Sequence, residues 1–375
     1  MSASRWCGIT KEVRKQGLRS PSVFESTGHA AEHAAKHAAK YWRAYEGRRA
    51  GKEAVICELC PHRCVLEEDD VGRCGARANR AGQVVALYYG RASSISLDPI
   101  EKKPLYHFYP GREILSIGSV GCNLECFFCQ NWEIAHEVAR TEEVTPARLV
   151  ALARRYDSIG IAYTYNEPLM NIEFLLEAGA EARREGLVNV LVSNGSINPE
   201  PLDDLLPLVD AVNLDVKGFT DDYYRRNCGG WLGVVKANAK RFRRAGVHVE
   251  LTTLLLPGEN DTQEEIARLV KWIESELGRE TPLHLSRYFP NYKSDLPPTP
   301  PESLLGALEV ASRKLAYVYV GNLVLDSGSD RWQNTICPQC SFAAVERYGY
   351  HVRPHLTEDG NCPRCGYHIA VVAPQ

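Results

Sequence analysis

Eleven of the thirteen cysteines in this 375-residue chain fall into three compact groups, and no other feature restricts the fold as much. The groups are Cys57, Cys60, Cys64 and Cys74; Cys122, Cys126 and Cys129; and Cys337, Cys340, Cys362 and Cys365, with Cys7 and Cys228 standing apart. Scattered structural thiols do not sort themselves this way. The first twenty residues have no apolar signal-peptide core. No apolar run reaches the roughly 18–20 residues needed to cross a bilayer. A cytoplasmic, reducing location without membrane attachment is therefore expected, and grouped cysteines there point to metal or catalysis rather than to disulfides.

The remaining sequence suggests how the groups are carried. A hydrophobic share of 44% and a charged share of 24% are those of an ordinary globular chain. The net charge of −3 gives the whole molecule no nucleic-acid signature, but residues 1–52 hold eleven basic and four acidic residues, leaving −10 for the rest. That basic segment reads as an N-terminal extension, with Ala30 to Tyr45 Ala-rich and helical in propensity. On such a helix His29, His33 and His37 would share one face. Residues 53–111 form a Cys-rich lobe. Residues 112–325 alternate apolar strands with helical stretches, the strands being Ile114–Ser119, Gly160–Tyr165, Val188–Ser193, Ala211–Lys217, Val247–Leu256, Leu283–Phe289 and Tyr317–Val320. Thr145-Pro146 supplies an N-cap and first-turn proline, and Thr262 with Glu265 a capping box for a helix ending at Gly278. Repeated βα units with nearly continuous apolar strands imply an α/β fold with a parallel sheet. Periodicity leaves open a partial barrel, a full barrel or a doubly wound sheet. Residues 326–375 form a turn-rich tail.

The middle group, Cys122-x3-Cys126-x2-Cys129, directly follows the first strand of the α/β region, in the loop position where parallel-sheet proteins place active sites. Three thiolates can hold three irons of a [4Fe-4S] cube and leave the fourth open. A zinc knuckle is the competing assignment, but zinc spacings usually come as C-x2-C pairs. The group, with Phe128 as the aromatic before its last cysteine, matches the cluster motif of the radical S-adenosylmethionine (SAM) superfamily. Asn166-Glu167-Pro168 resembles that superfamily's Gly-Gly-Glu-Pro element, with Tyr165 and Asn166 in place of the two glycines. Ser193-Asn194 resembles its ribose-contacting element. Asp215-Val216-Lys217 and Leu256-Pro257-Gly258 resemble elements of glycyl-radical-enzyme activases.

The phrases CELCPHRC, KKPLYHFYPG, GCNLECFFCQNWEI, YTYNEP, VNLDVKGF and YVYVGN extend the resemblance to the radical SAM enzymes of the AmmeMemoRadiSam system, relatives of the pyruvate formate-lyase activating enzymes. The resemblance implies a partial (βα)6 TIM-like barrel, a [4Fe-4S] cluster and SAM. It implies that Glu167 holds the methionine amino group and Lys217 faces the methionine carboxylate, with Phe128, Asn166, Ser193, Asn194 and Asp215 completing the cofactor contacts. It further implies a one-electron donor such as flavodoxin or ferredoxin, a possible protein substrate, and MEMO-type and AMMECR-type partners. The first chemical step needs no general base, so no acid–base pair is assigned.

The flanking groups read differently. Cys337-x2-Cys340 and Cys362-x2-Cys365, 21 residues apart, form a zinc-ribbon pattern that serves folding, RNA binding or partner binding. Cys57-x2-Cys60-x3-Cys64-x9-Cys74 suits zinc or an auxiliary iron–sulfur cluster, with His62 able to replace one ligand. Tyr106 to Tyr109 read as core aromatics, and Cys228 as a buried thiol or a hydrogen-atom donor. Three functions compete: hydrogen abstraction from a protein or small molecule, with glycyl-radical activation its most specific form; RNA modification, suited by the basic arm; and a non-catalytic metal scaffold.

Overall fold

The computed structural model describes residues 37–46, 54–137, 139–323 and 332–372. Its centre is an eight-stranded sheet of β1 (Ser94–Pro99), β2 (Glu113–Gly118), β3 (Gly160–Tyr163), β4 (Val188–Ser193), β5 (Ala211–Asp215), β6 (His248–Leu255), β7 (Leu283–Arg287) and β8 (Val318–Gly321). The spatial order is the chain order. β1 pairs antiparallel with β2, and every later pair is parallel. The crossovers carry α1 (Pro146–Arg155), α2 (Ile172–Arg184), α3 (Pro199–Leu205), α4 (Leu232–Arg244), α5 (Gln263–Glu276) and α6 (Pro301–Ser312). Right-handed crossovers between neighbours wind always the same way and leave all helices on one face. The sheet is therefore a partial barrel of six βα units plus a seventh parallel strand, open because β1 and β8 do not pair.

The inner parallel strands are buried on both faces, as their apolar runs require: Gly160 to Tyr163 are buried throughout. Gly160 is obligatory, because a Cβ there would lie 1.9 Å from the Val188 carbonyl oxygen on the neighbouring strand. Thr145 caps α1, its hydroxyl accepting from the Arg148 N–H. Thr262 caps α5 in the same way, but the box is only half formed. Glu265 is buried, and its carboxylate accepts the Phe219 N–H at 2.5 Å instead of reaching back. That bond ties α5 to the loop after β5.

The amino-terminal mouth of the barrel is plugged by residues 104–107. Glu250, fully buried on β6, accepts from the backbone N–H of Tyr106 and His107 and faces the imidazoles of His248 and His284. Asn213 on β5 donates to the Pro104 carbonyl. The aromatic run is core, as expected, and it also seats the C-terminal tail. Tyr317 and Tyr319 pack against Cys337, Ala344, Cys362 and Ile369. The tail's antiparallel strands Thr335–Ile336, Ala343–Tyr348 and His351–Pro354 form a small ribbon.

The N-terminal lobe corrects one expectation. Residues 37–46 are not helical: Trp42–Ala44 is a strand that pairs with Val55–Cys57, because the chain there is held by long-range partners. The Lys40 N–H donates to Glu173 on α2, and the buried Arg77 guanidinium binds both the Lys40 carbonyl and Glu173. His37 stacks on Tyr89, while His29 and His33 lie outside the described residues. Among the described residues no helix is long and apolar enough to cross a membrane.

Candidate active site

The carboxyl ends of β2 to β6 gather the residues that the sequence singled out. After β2 the chain turns through Gly121, whose φ of 101° only glycine adopts readily, and a Cβ there would meet the Cys74 carbonyl oxygen at 2.5 Å. The loop from Cys122 to Cys129 follows. Two side chains fix its start: Asn166 accepts from the Ser119 N–H at 3.0 Å and donates to the Gly121 carbonyl at 2.9 Å, and Asn171 donates to Ser119 and to the Val120 carbonyl. Asn166 thus spends its amide on the cysteine loop.

Tyr165 lies in the left-handed region, with φ of 73°, a conformation that favours glycine. This conformation costs a side-chain-bearing residue about 1–2 kcal/mol. Tertiary contacts hold it there. The Tyr165 hydroxyl donates to buried Asp98, which also binds Lys102 and Lys103 at 2.8 and 2.6 Å, and Asn131 donates to the Tyr165 carbonyl. The two lysines and the hydroxyl hold Asp98 well below the usual carboxylate range, against the opposing effect of burial.

Glu167 is buried, and three donors converge on it: the Ser193 hydroxyl at 2.7 Å, the Asn194 N–H at 2.8 Å and the Leu169 N–H at 3.2 Å. Among the described residues no lysine or arginine pairs with it, and burial pushes its pKa up to about 7. A buried carboxylate with donors but no cation fits a ligand that brings an ammonium group. Asn194 runs from this cluster to the cysteines, its amide lying 3.7 Å from the Cys122 sulfur and 3.0 Å from Asn123.

Asp215 and Lys217, at the end of β5, form an ion pair of 3.0 Å. Burial works against the Lys217 charge, but Asp215 and the neighbouring Cys126 more than offset it and hold the ammonium in its charged form. The Lys217 N–H donates to the Tyr224 hydroxyl, and Asn260 binds the Lys217 and Leu254 carbonyls and the Leu256 N–H, so one asparagine sets the Leu256-Pro257-Gly258 turn. Phe128 is buried beside Phe127 and Tyr223.

The donor set of the cysteine loop fits a multi-iron centre. The Cys228 thiol against it, together with burial, pushes Cys126 up; burial and the Glu167 charge push Cys122 up. Thiols so placed resist ionising unless a shared metal centre takes their protons' place. Among the described residues the C-terminal four are the cysteines whose sulfurs all lie within 4.8 Å of one another; the central three are not drawn together around one point. Wider spacing suits a cube, where each thiolate takes a different iron. In the C-terminal tail Cys337 and Cys365, and Cys340 and Cys362, stand 3.6 Å apart, the spacing of a single tetrahedral ion.

Sequence reading named Cys122, Cys126, Cys129, Glu167, Ser193, Asn194, Asp215 and Lys217, and the fold brings them to one end of the barrel. It missed Asn123, Asn171, Tyr224, Asn260 and Asp98. These residues act on backbone or on other side chains, and polar type alone does not mark them out in the sequence.

The family profile of the radical SAM superfamily matches residues 116–270. An uncharacterized protein of Methanocaldococcus jannaschii is 41% identical over 325 residues, covering 85% of this chain and 96% of its own length. The pyruvate formate-lyase-activating enzyme of Clostridium pasteurianum is 25% identical over 160 residues, 41% of this chain and 67% of its own. Among solved structures, a radical SAM methyltransferase from Sphaerobacter thermophilus aligns with a TM-score of 0.47 and 17% identity, over 59% of this chain and 70% of its own. With a cysteine loop after the first parallel strand and a relative matched over nearly its whole length, this chain belongs to the radical SAM superfamily.

Proposed function

We propose that the chain cleaves SAM reductively and uses the product to abstract a hydrogen atom from its substrate. When bound, a [4Fe-4S] cluster and SAM supply that chemistry: one electron splits the sulfonium into methionine and a 5′-deoxyadenosyl radical, which takes the hydrogen atom. Cys122, Cys126 and Cys129 would ligate three irons. Glu167 would take the methionine ammonium, completing a carboxylate that already has Ser193, Asn194 and Leu169 as donors. Lys217, kept charged by Asp215, would face the methionine carboxylate. Ser193, Asn194 and Phe128 would border the nucleoside, and Asn166 would hold the cysteine loop in place. Burial of Glu167 and Cys126 excludes water from the reacting end.

The observation that carries this reading is Glu167, a buried carboxylate without a cation among the described residues, linked through Asn194 to the Cys122 sulfur. The likeness to pyruvate formate-lyase-activating enzymes supports activation of a glycyl-radical protein as the finer assignment, with an electron carrier of the flavodoxin or ferredoxin class. The AmmeMemoRadiSam resemblance supports MEMO-type and AMMECR-type partners. Anaerobic calorimetry with SAM tests the site. Glu167→Ala is expected to weaken binding on the order of 10-fold to 100-fold, the worth of about 1.5–3 kcal/mol for a charged hydrogen bond, with the cluster absorbance unchanged. Unchanged SAM affinity in that variant overturns the assignment.

A further inference from the structure

We propose that Cys57, Cys60, Cys64 and Cys74 hold a second iron–sulfur cluster, directly beside the central one. All four line one small cavity of about 10 Å³ in the N-terminal lobe. The contrast with the C-terminal four is internal to the molecule. There the sulfurs stand in pairs 3.6 Å apart and all lie within 4.8 Å of one another. The N-terminal four do not converge in that way, although all four line the same small cavity. One zinc ion draws four sulfurs onto itself, whereas a cluster needs them spread around its irons.

Two further residues suit the lining to an anionic group. Gly72 borders the cavity, and a Cβ there would lie 4.0 Å from both the Cys64 and Cys74 sulfurs. A larger side chain would point between two of the ligands. Arg77 also borders it, 1% exposed, with its Nε bonded to nothing among the described residues although its other nitrogens hold Glu173 and Lys40. A buried cation with a spare N–H, lining the same cavity as the four cysteines, matches a cluster whose net charge is negative. The proposed donor set is the four cysteines, the His62 Nε2 being taken up by the Asn123 carbonyl at 2.8 Å.

The two cysteine groups touch through the backbone: the Cys122 N–H donates to the Cys74 carbonyl at 3.1 Å. The His62–Asn123 bond is a second link. The proposal does not depend on the SAM assignment, because its donors are outside the central loop.

The test is metal analysis of protein produced anaerobically with iron and sulfide, in the wild type and in Cys122→Ala/Cys126→Ala/Cys129→Ala. The triple variant is expected to keep iron and acid-labile sulfide in equal number, about two or about four of each, with a cluster Mössbauer spectrum. Zinc or a lone iron without sulfide at the N-terminal four, or no metal, overturns it. If the triple variant does not fold, Cys60→Ala/Cys64→Ala is compared with the wild type by circular dichroism and metal content. It is expected to stay folded and lose that share of iron; a folded variant with full iron content overturns the proposal. In dithionite-reduced wild type, the EPR signals of the two clusters are expected to broaden one another, and two independent signals would refute their adjacency.

Discussion

His107 makes the joint between barrel and tail sensitive to pH, and the size of the effect follows from its neighbours. The residue is fully buried. Its Nδ1 lies 2.9 Å from the Ala370 carbonyl, which can only accept, so Nδ1 carries the proton. Its Nε2 must then accept from the Tyr319 hydroxyl at 2.5 Å. Tyr319 in turn accepts from Thr335, whose oxygen also receives a bond from Arg347. A second proton on His107 has no acceptor, and burial pushes its basicity down to about 3, only partly offset by the Glu250 charge. The folded value lies below the ordinary one of about 6.5, so the unfolded chain binds the proton first and stability is lost as pH falls through the window between the two. From pH 7.5 to pH 5 this group alone removes about 2 kcal/mol, at 1.36 kcal/mol for each unit of pH below 6.5. Urea unfolding at both pH values, in the wild type and in His107→Asn, isolates the term. The wild type is expected to lose about 2 kcal/mol more than the variant over that interval. Equal losses would refute the neutral, tautomer-fixed histidine.

Three other perturbations follow from the same geometry. Glu173→Gln leaves the Arg77 cation buried without its counter-charge, and urea unfolding is expected to show a loss of about 3 kcal/mol, with less lost in Arg77→Met/Glu173→Leu; a loss under about 1 kcal/mol contradicts the buried pair. Elemental analysis is expected to find one zinc per chain bound by the C-terminal cysteines, absent in Cys362→Ser, which becomes protease-sensitive after about residue 331 while the barrel persists; a zinc-free ribbon that resists protease contradicts this. Gly121→Ala meets the Cys74 carbonyl and is expected to lose the central iron while remaining folded, whereas Gly186→Ala, with positive φ but open space, costs only about 1–2 kcal/mol and keeps its iron; equal iron in the two contradicts the packing of the cysteine loop on the lobe.

The parallel βα sheet could be read from the chain because each parallel strand is an apolar run of its own length and two of the helices carry the caps Thr145 and Thr262, whereas the partial barrel was implied only by the family resemblance. The strand ends were less exact. Gly160 begins where expected, but the strand stops at Tyr163 because Tyr165 enters the left-handed region, a conformation set by Asp98 from sixty-seven residues away. The helix expected through Tyr45 failed for the same kind of reason. Alanine favours helix locally, but pairing with Val55–Cys57 and bonds to Glu173 and Arg77 override it. In the site, metal-ligating and charged residues announced themselves by type and spacing. Asn166, Asn171 and Asn260 did not, because a side chain that bonds backbone carries no pattern of its own along the chain.

The most direct test of the central claim is 5′-deoxyadenosine formation. Wild-type protein, reconstituted anaerobically with iron and sulfide, reduced with dithionite and given SAM, is expected to release 5′-deoxyadenosine and methionine in equal amounts, with none from Cys126→Ala. No product from wild type that carries a reducible [4Fe-4S] cluster, or equal product from the variant, would contradict the account.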